Sequence, residues 1–116
     1  MAVGRLCEVV IDCHDCDRLA EFWAAILGGT PQRVSPEWVC VRIPDSSTAV
    51  SFQRVPEDKV VKNRVHLDVA VDDLEAAAAR CVQLGATQLT SRCPDPVGDF
   101  IVLLDPEGNE FCVVTD

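Results

Sequence analysis

The chain repeats itself. Glu8-Val9-Val10-Ile11-Asp12-Cys13-His14-Asp15 opens a segment that runs through a helical stretch to Leu27-Gly28. Fifty-eight residues on, His66-Leu67-Asp68-Val69-Ala70-Val71-Asp72-Asp73 opens a second, which runs to Leu84-Gly85. Glu8, Asp15 and Ala20 align with His66, Asp73 and Ala78 at that one offset, and the Leu-Gly pairs align one residue short of it, as a single deletion gives. Toward the ends, Ser51-Phe52-Gln53-Arg54-Val55 aligns with Glu110-Phe111-Cys112-Val113-Val114. A period of half the length means two copies of one supersecondary unit. Equivalent side chains of two related copies are expected to converge where the copies meet, and that is where a site is sought.

Each copy reads as β-α-β-β-β. In the first, Leu6 to Asp12 is a strand with β-branched Val9, Val10 and Ile11. Asp15 or Asp17 caps a helix whose apolar stripe is Leu19, Phe22, Trp23, Ile26 and Leu27. Gly28-Gly29 stops it. Strands follow near Pro31–Val34, Trp38–Ile43 and Ala49–Val55, punctuated by Pro36, Pro44 and Pro56. The polar segment 56–63 links the copies. The second copy gives a strand over Arg64–Val71 and a helix with stripe Leu74, Ala77, Ala78, Cys81 and Leu84. Asp72 and Glu75 have capping-box spacing at its start. Strands near Thr87–Thr90, Phe100–Asp105 and Glu110–Thr115 complete it, with Asp105-Pro106-Glu107-Gly108-Asn109 as the turn between the last two. The expected fold class is α+β, one domain over 1–116 built of modules at about 5–56 and 63–116.

Composition narrows the function. The net charge of −9, with ten scattered basic residues, argues against a nucleic-acid partner, which demands clustered Lys and Arg. No apolar run approaches the ~18 residues that span a bilayer, and the first residues carry no hydrophobic leader. Seven cysteines, an odd number, fit reduced thiols and a cytoplasmic location better than a disulfide framework. Neither a Walker A loop nor a G-x-G-x-x-G occurs, which excludes nucleotide binding by those motifs.

Taken together, Phe22-Trp23 before Leu27-Gly28, Val65-His66-Leu67-Asp68-Val69, and Asp105-Pro106-Glu107-Gly108-Asn109-Glu110-Phe111 resemble the vicinal oxygen chelate superfamily. Its members include glyoxalase I, bleomycin and fosfomycin resistance proteins and extradiol dioxygenases. The resemblance covers nearly the whole chain. It implies a cup-shaped, incomplete eight-stranded barrel with helices outside and a small-molecule site within. It also implies metal ligands on the first and last strands of each module, which here are Glu8, Gln53, His66 and Cys112. The family's usual glutamate, seven residues after the turn aspartate, is replaced by Cys112. Glu110 shares that strand face but lies about 7 Å away along it, at ~3.4 Å per residue. A homodimer is the implied assembly.

Two readings of those residues follow. A set of Glu8, Gln53, His66 and Cys112 suits zinc or nickel, since a thiolate is poor for magnesium or manganese. An ion there polarises a carbonyl, and lyase or isomerase chemistry on a vicinal-oxygen or carbonyl substrate results, with Glu8 and His66 as catalytic candidates. Alternatively the metal was lost with the carboxylate. The protein then sequesters a drug-like or cationic compound, as bleomycin resistance proteins do. Strand parity puts Trp38, Cys40 and Arg42 opposite Val39, Val41 and Ile43, the better core set. The expected ligand-binding residues are therefore Glu8, Trp38, Arg42, Gln53, His66, Asp68 and Cys112. Cys112 with His66 is also the one plausible nucleophile–base pair. Cys13-His14-Asp15-Cys16 forms a C-x-x-C at a helix start, read here as a loop with two ordinary thiols.

Overall fold

The structure, a computed structural model, describes residues 1–115. Asp116, the last residue of the expected second module, lies outside the described residues. The chain divides into two compact units, Met1–Asp58 and Lys59–Asp116, with the boundary inside the polar linker.

The first unit contains β1 (Glu8–Cys13), α1 (Cys16–Leu27), β2 (Pro31–Ser35), β3 (Trp38–Arg42) and β4 (Ala49–Arg54). Its strands form one sheet in the order β1-β4-β3-β2, with β1 and β4 parallel and the rest antiparallel. α1 starts where it does because the Asp15 carboxylate accepts the Arg18 backbone N–H at 3.1 Å. It ends at Gly28, whose φ of 86° suits glycine alone. Leu19, Phe22 and Trp23 are buried on its inner face, the two rings meeting edge to face at 5.5 Å. Val39, Val41, Val50 and Phe52 supply the opposing apolar layer and are almost wholly buried. Gly29 sits so close to β3 that a Cβ would lie 2.4 Å from the Arg42 carbonyl oxygen.

The second unit contains β5 (Leu67–Ala70), α2 (Leu74–Leu84), β6 (Thr87–Gln88), β7 (Phe100–Leu104) and β8 (Glu110–Val114). Its sheet has the matching order β5-β8-β7-β6. Ile101, Leu103, Phe111 and Val113 form its buried layer with Leu74, Ala78 and Cys81 of α2. The α+β class and the paired β-α-β-β-β units are those expected from the repeat. Two local expectations fail. The cap of α2 is Asp73, which accepts the Ala76 N–H at 3.1 Å, so Asp72 and Glu75 make no capping box. Glu75 instead bonds Arg92. The strand expected from Arg64 begins only at Leu67, because Asn63 turns the preceding chain back onto β8. Asn63 accepts the Glu110 N–H and donates to the Glu110 and Val65 carbonyls.

Candidate functional site

With α2 on one side of the second sheet, the other side is concave. Strand alternation assigns it Asp68 and Ala70 of β5, Phe100 and Val102 of β7, and Cys112 and Val114 of β8. These residues, with His66 and Leu89, line a cavity of about 770 Å³ built entirely from the second unit. That is ample for a small organic molecule. Its walls are mainly apolar; His66, Asp68 and Cys112 form a polar cluster toward one end, and Asp95 and Thr115 also line it.

Register creates that polar end. Asp68 lies directly opposite Cys112 across the parallel β5–β8 pair, and Val102 flanks Cys112 on the other side. His66 lies two residues before Asp68, just ahead of β5. Its Nε2 stands 3.2 Å from Asp68 Oδ1, and both side chains are about half exposed at 54%. A ring nitrogen of His66, a carboxylate oxygen of Asp68 and the Cys112 sulfur all lie within 4.8 Å of one another. Burial pushes the Cys112 thiol up from its usual pKa, and the Asp68 charge adds to the rise. Both effects disfavour a second negative charge beside a carboxylate.

Glu110 is on the same strand but is engaged elsewhere. Its carboxylate accepts the Asn63 N–H and the Lys59 ammonium, each at 3.2 Å. Burial pushes its carboxyl up, but these hydrogen bonds outweigh that and hold it below the usual range. It anchors the linker rather than replacing Cys112.

The remaining expected residues occupy the first unit. Trp38, Arg42 and Gln53 share one face of its sheet, with Trp38 opposite Gln53. Trp38 is half-buried, while Arg42 and Gln53 are exposed. Glu8 accepts a hydrogen bond from the fully buried Ser51 hydroxyl. Within that sheet Glu8 and Gln53 are not neighbours, because Glu8 is opposite Ala49 and Gln53 is opposite Asp12. The four expected metal donors thus divide two and two between the units. The trio gathered within the second unit contains Asp68, expected as a ligand contact but not as a metal donor. A signal for it was present: His66-x-Asp68 is the i, i+2 spacing that puts two side chains on one strand face.

The donor chemistry fits a divalent ion. One imidazole, one carboxylate and one thiol are the mixed N/O/S set that zinc accepts, and three protein ligands leave a coordination position open. The 4.8 Å spread is wider than a closed tetrahedron needs, and two half-exposed side chains have room to close it.

The glyoxalase-like domain model matches residues 8–114. The chain belongs to the glyoxalase-like domain family. No protein of curated function matches the sequence. Solved structures share its fold. A glyoxalase/bleomycin resistance protein/dioxygenase family enzyme from Burkholderia phytofirmans PsJN is 20% identical, with a TM-score of 0.81 over 97% of this chain and 98% of that one. A glyoxalase-related enzyme from Fulvimarina pelagi is 15% identical at 0.77, over 98% and 89%. The fosfomycin resistance protein FosX from Mesorhizobium loti is 18% identical at 0.75, over 100% and 94%. At such identities the likeness is one of fold. Family membership places this chain among vicinal oxygen chelate proteins, as the sequence motifs implied. Among the described residues, no helix is long and apolar enough to cross a membrane.

Proposed function

We propose that this chain is a glyoxalase-like protein that holds a small molecule on the concave face of its second sheet. His66, Asp68 and Cys112 grip the oxygen-bearing end. The observation that carries this reading is the meeting of nitrogen, oxygen and sulfur donors in the wall of a largely apolar hollow. The apolar wall of Phe100, Val102 and Val114 excludes water and orients the ligand's carbon skeleton. The trio would hold zinc or nickel, and a bound ion supplies Lewis acidity toward a carbonyl or vicinal-oxygen group. Asp68 orients the His66 ring through their 3.2 Å contact. Lyase or isomerase chemistry is the reaction class this arrangement serves. In this reading Glu8, held by Ser51, and Gln53, Trp38 and Arg42 are structural or peripheral.

A second reading rests on a specific observation. Asp68 already pairs with His66, and burial together with the Asp68 charge keeps the Cys112 thiol protonated, so the trio needs no ion. A metal-free protein with this apolar hollow and a net charge of −9 would sequester a cationic, drug-like compound. Solved structures of this fold include a fosfomycin resistance protein and an oxidase. A reduced cytoplasmic setting and a homodimer complete the proposal. A sedimentation mass near that of one chain would refute the dimer.

Metal content separates the two readings. Stoichiometric zinc or nickel in the untagged protein, lost in His66→Ala, supports metal-assisted chemistry. Protein that stays metal-free after incubation with both ions removes it. A thermal-shift screen with α-ketoaldehyde–thiol adducts and cationic antibiotics then identifies what fills the hollow.

A further inference from the structure

The C-x-x-C of the first unit brings two thiols together. Cys13 ends β1 and Cys16 opens α1, so the two-residue loop His14-Asp15 folds the sulfurs together. They lie 3.4 Å apart, with the Cys13 thiol directed at the Cys16 sulfur. Both residues are buried, at 3% and 5% exposure. The backbone on either side is pinned. Val55 N–H bonds the Cys13 carbonyl at 2.9 Å, and Asp15 caps the helix. The sulfurs are separated by little more than a bond's length beyond bonding distance.

Access is one-sided. Cys16 lines a cavity of about 740 Å³ on the first unit, walled by His14, Arg33 and Arg54, and Cys13 is not among its lining residues. An oxidant entering that cavity therefore meets Cys16 first.

We propose that Cys13 and Cys16 form a redox-active dithiol that closes to a disulfide under peroxide. The Cys16 sulfur attacks one oxygen of hydrogen peroxide and breaks the O–O bond. The leaving hydroxide takes the Cys16 proton and departs as water, leaving a sulfenic acid on Cys16. The Cys13 sulfur then attacks the Cys16 sulfur and displaces hydroxide, which takes the Cys13 proton as a second water. One peroxide is reduced, two thiols are oxidised, and one S–S bond forms. A small dithiol reductant reverses the step by thiol–disulfide exchange.

The test uses the whole protein. Trypsin releases Leu6–Arg18, a fragment that carries Cys7 as well as Cys13 and Cys16. Cys7 is exposed and serves as an internal control. The protein is titrated with hydrogen peroxide until Cys7 oxidises, then denatured, alkylated and digested. The expected fragment has Cys13 and Cys16 linked, two hydrogens lighter, at peroxide doses at least tenfold below those that oxidise Cys7. Dithiothreitol restores alkylation at both. Cys13 and Cys16 both still alkylated when Cys7 is fully oxidised overturns the proposal, as does a link that joins either to Cys7 or Cys93. In Cys13→Ser the sulfenic acid should persist on Cys16 and react with a cyclic dione, and Cys16→Ser should show none on Cys13. The reverse pattern overturns the order of attack, and the wild-type mapping stands whether or not either variant folds.

Discussion

The two sheets share strand order and helix placement, yet their faces opposite the helices differ. On the first sheet Cys40, Ala49 and Ser51 are buried, and the Ser51 hydroxyl bonds Glu8. On the second, Asp68 and Ala70 are exposed beside a large hollow. Register is part of the reason. Gln53 lies opposite Asp12, but its counterpart Cys112 lies opposite Asp68, the counterpart of Val10. The strand pair has slipped by two residues between the copies. An even slip keeps every side chain on its face while changing its partner. Duplication supplied two equivalent frames, and a slip within one of them set a carboxylate against a thiol.

If the buried layers are equivalent and only the open faces have diverged, Phe52→Ala and Phe111→Ala should hurt alike. Each empties a site at most 1% exposed and should cost about 3–5 kcal/mol in urea denaturation. A large inequality would break the comparison at its core. The open faces should separate next. Zinc at a hundredfold excess over its Kd stabilises a binding protein by roughly 2.7 kcal/mol. That gain should vanish in His66→Ala and survive in Glu8→Gln, as read by denaturation with and without zinc. Its loss in Glu8→Gln would mean that the first sheet serves the ion too.

Smaller effects should again be matched. Asp15→Ala and Asp73→Ala remove corresponding helix caps, and each should lower stability by about 1 kcal/mol. The smallest effect belongs to the second unit alone. The Arg92 guanidinium beside Asp99 holds that carboxyl below its usual range. A depressed folded-state pKa contributes stability that is present above the ordinary carboxylate value and lost as pH falls through the lower one. Arg92→Met should therefore flatten the acid limb of the stability–pH curve slightly. Because the pair is exposed, 1 M salt should do the same to the parent protein.

Much of this was legible in the sequence. The repeat, the apolar stripes and the Leu-Gly stops gave both helices, since periodicity and glycine punctuation are local properties. Alternation placed Val39 and Val41 in the core. Pairing was not legible, because the alignment of Glu8 with His66 carries no information on which β8 residue each strand position will face. Nor does it say that within the first sheet Glu8 will lie opposite Ala49 and Gln53 opposite Asp12. The late start of β5 is likewise a tertiary effect, imposed by the Asn63–Glu110 bonds across 47 residues. His66 and Cys112, both singled out from the sequence, have donor atoms within 4.8 Å of each other. Asp68 joins them only through register.

The turn before β8 explains how such a slip can be held. The Asp105 carboxylate is buried and receives the backbone N–H groups of Glu107 and Asn109 together with the Asn109 amide. That knot fixes where the hairpin reverses, so it sets the count of residues from the bend to Cys112. Adding or deleting one residue there would swing the sulfur to the helix side of the sheet and bring Phe111 out in its place. The most recognisable motif in the chain therefore acts as a ruler, and Cys112 sits at the mark seven residues along it.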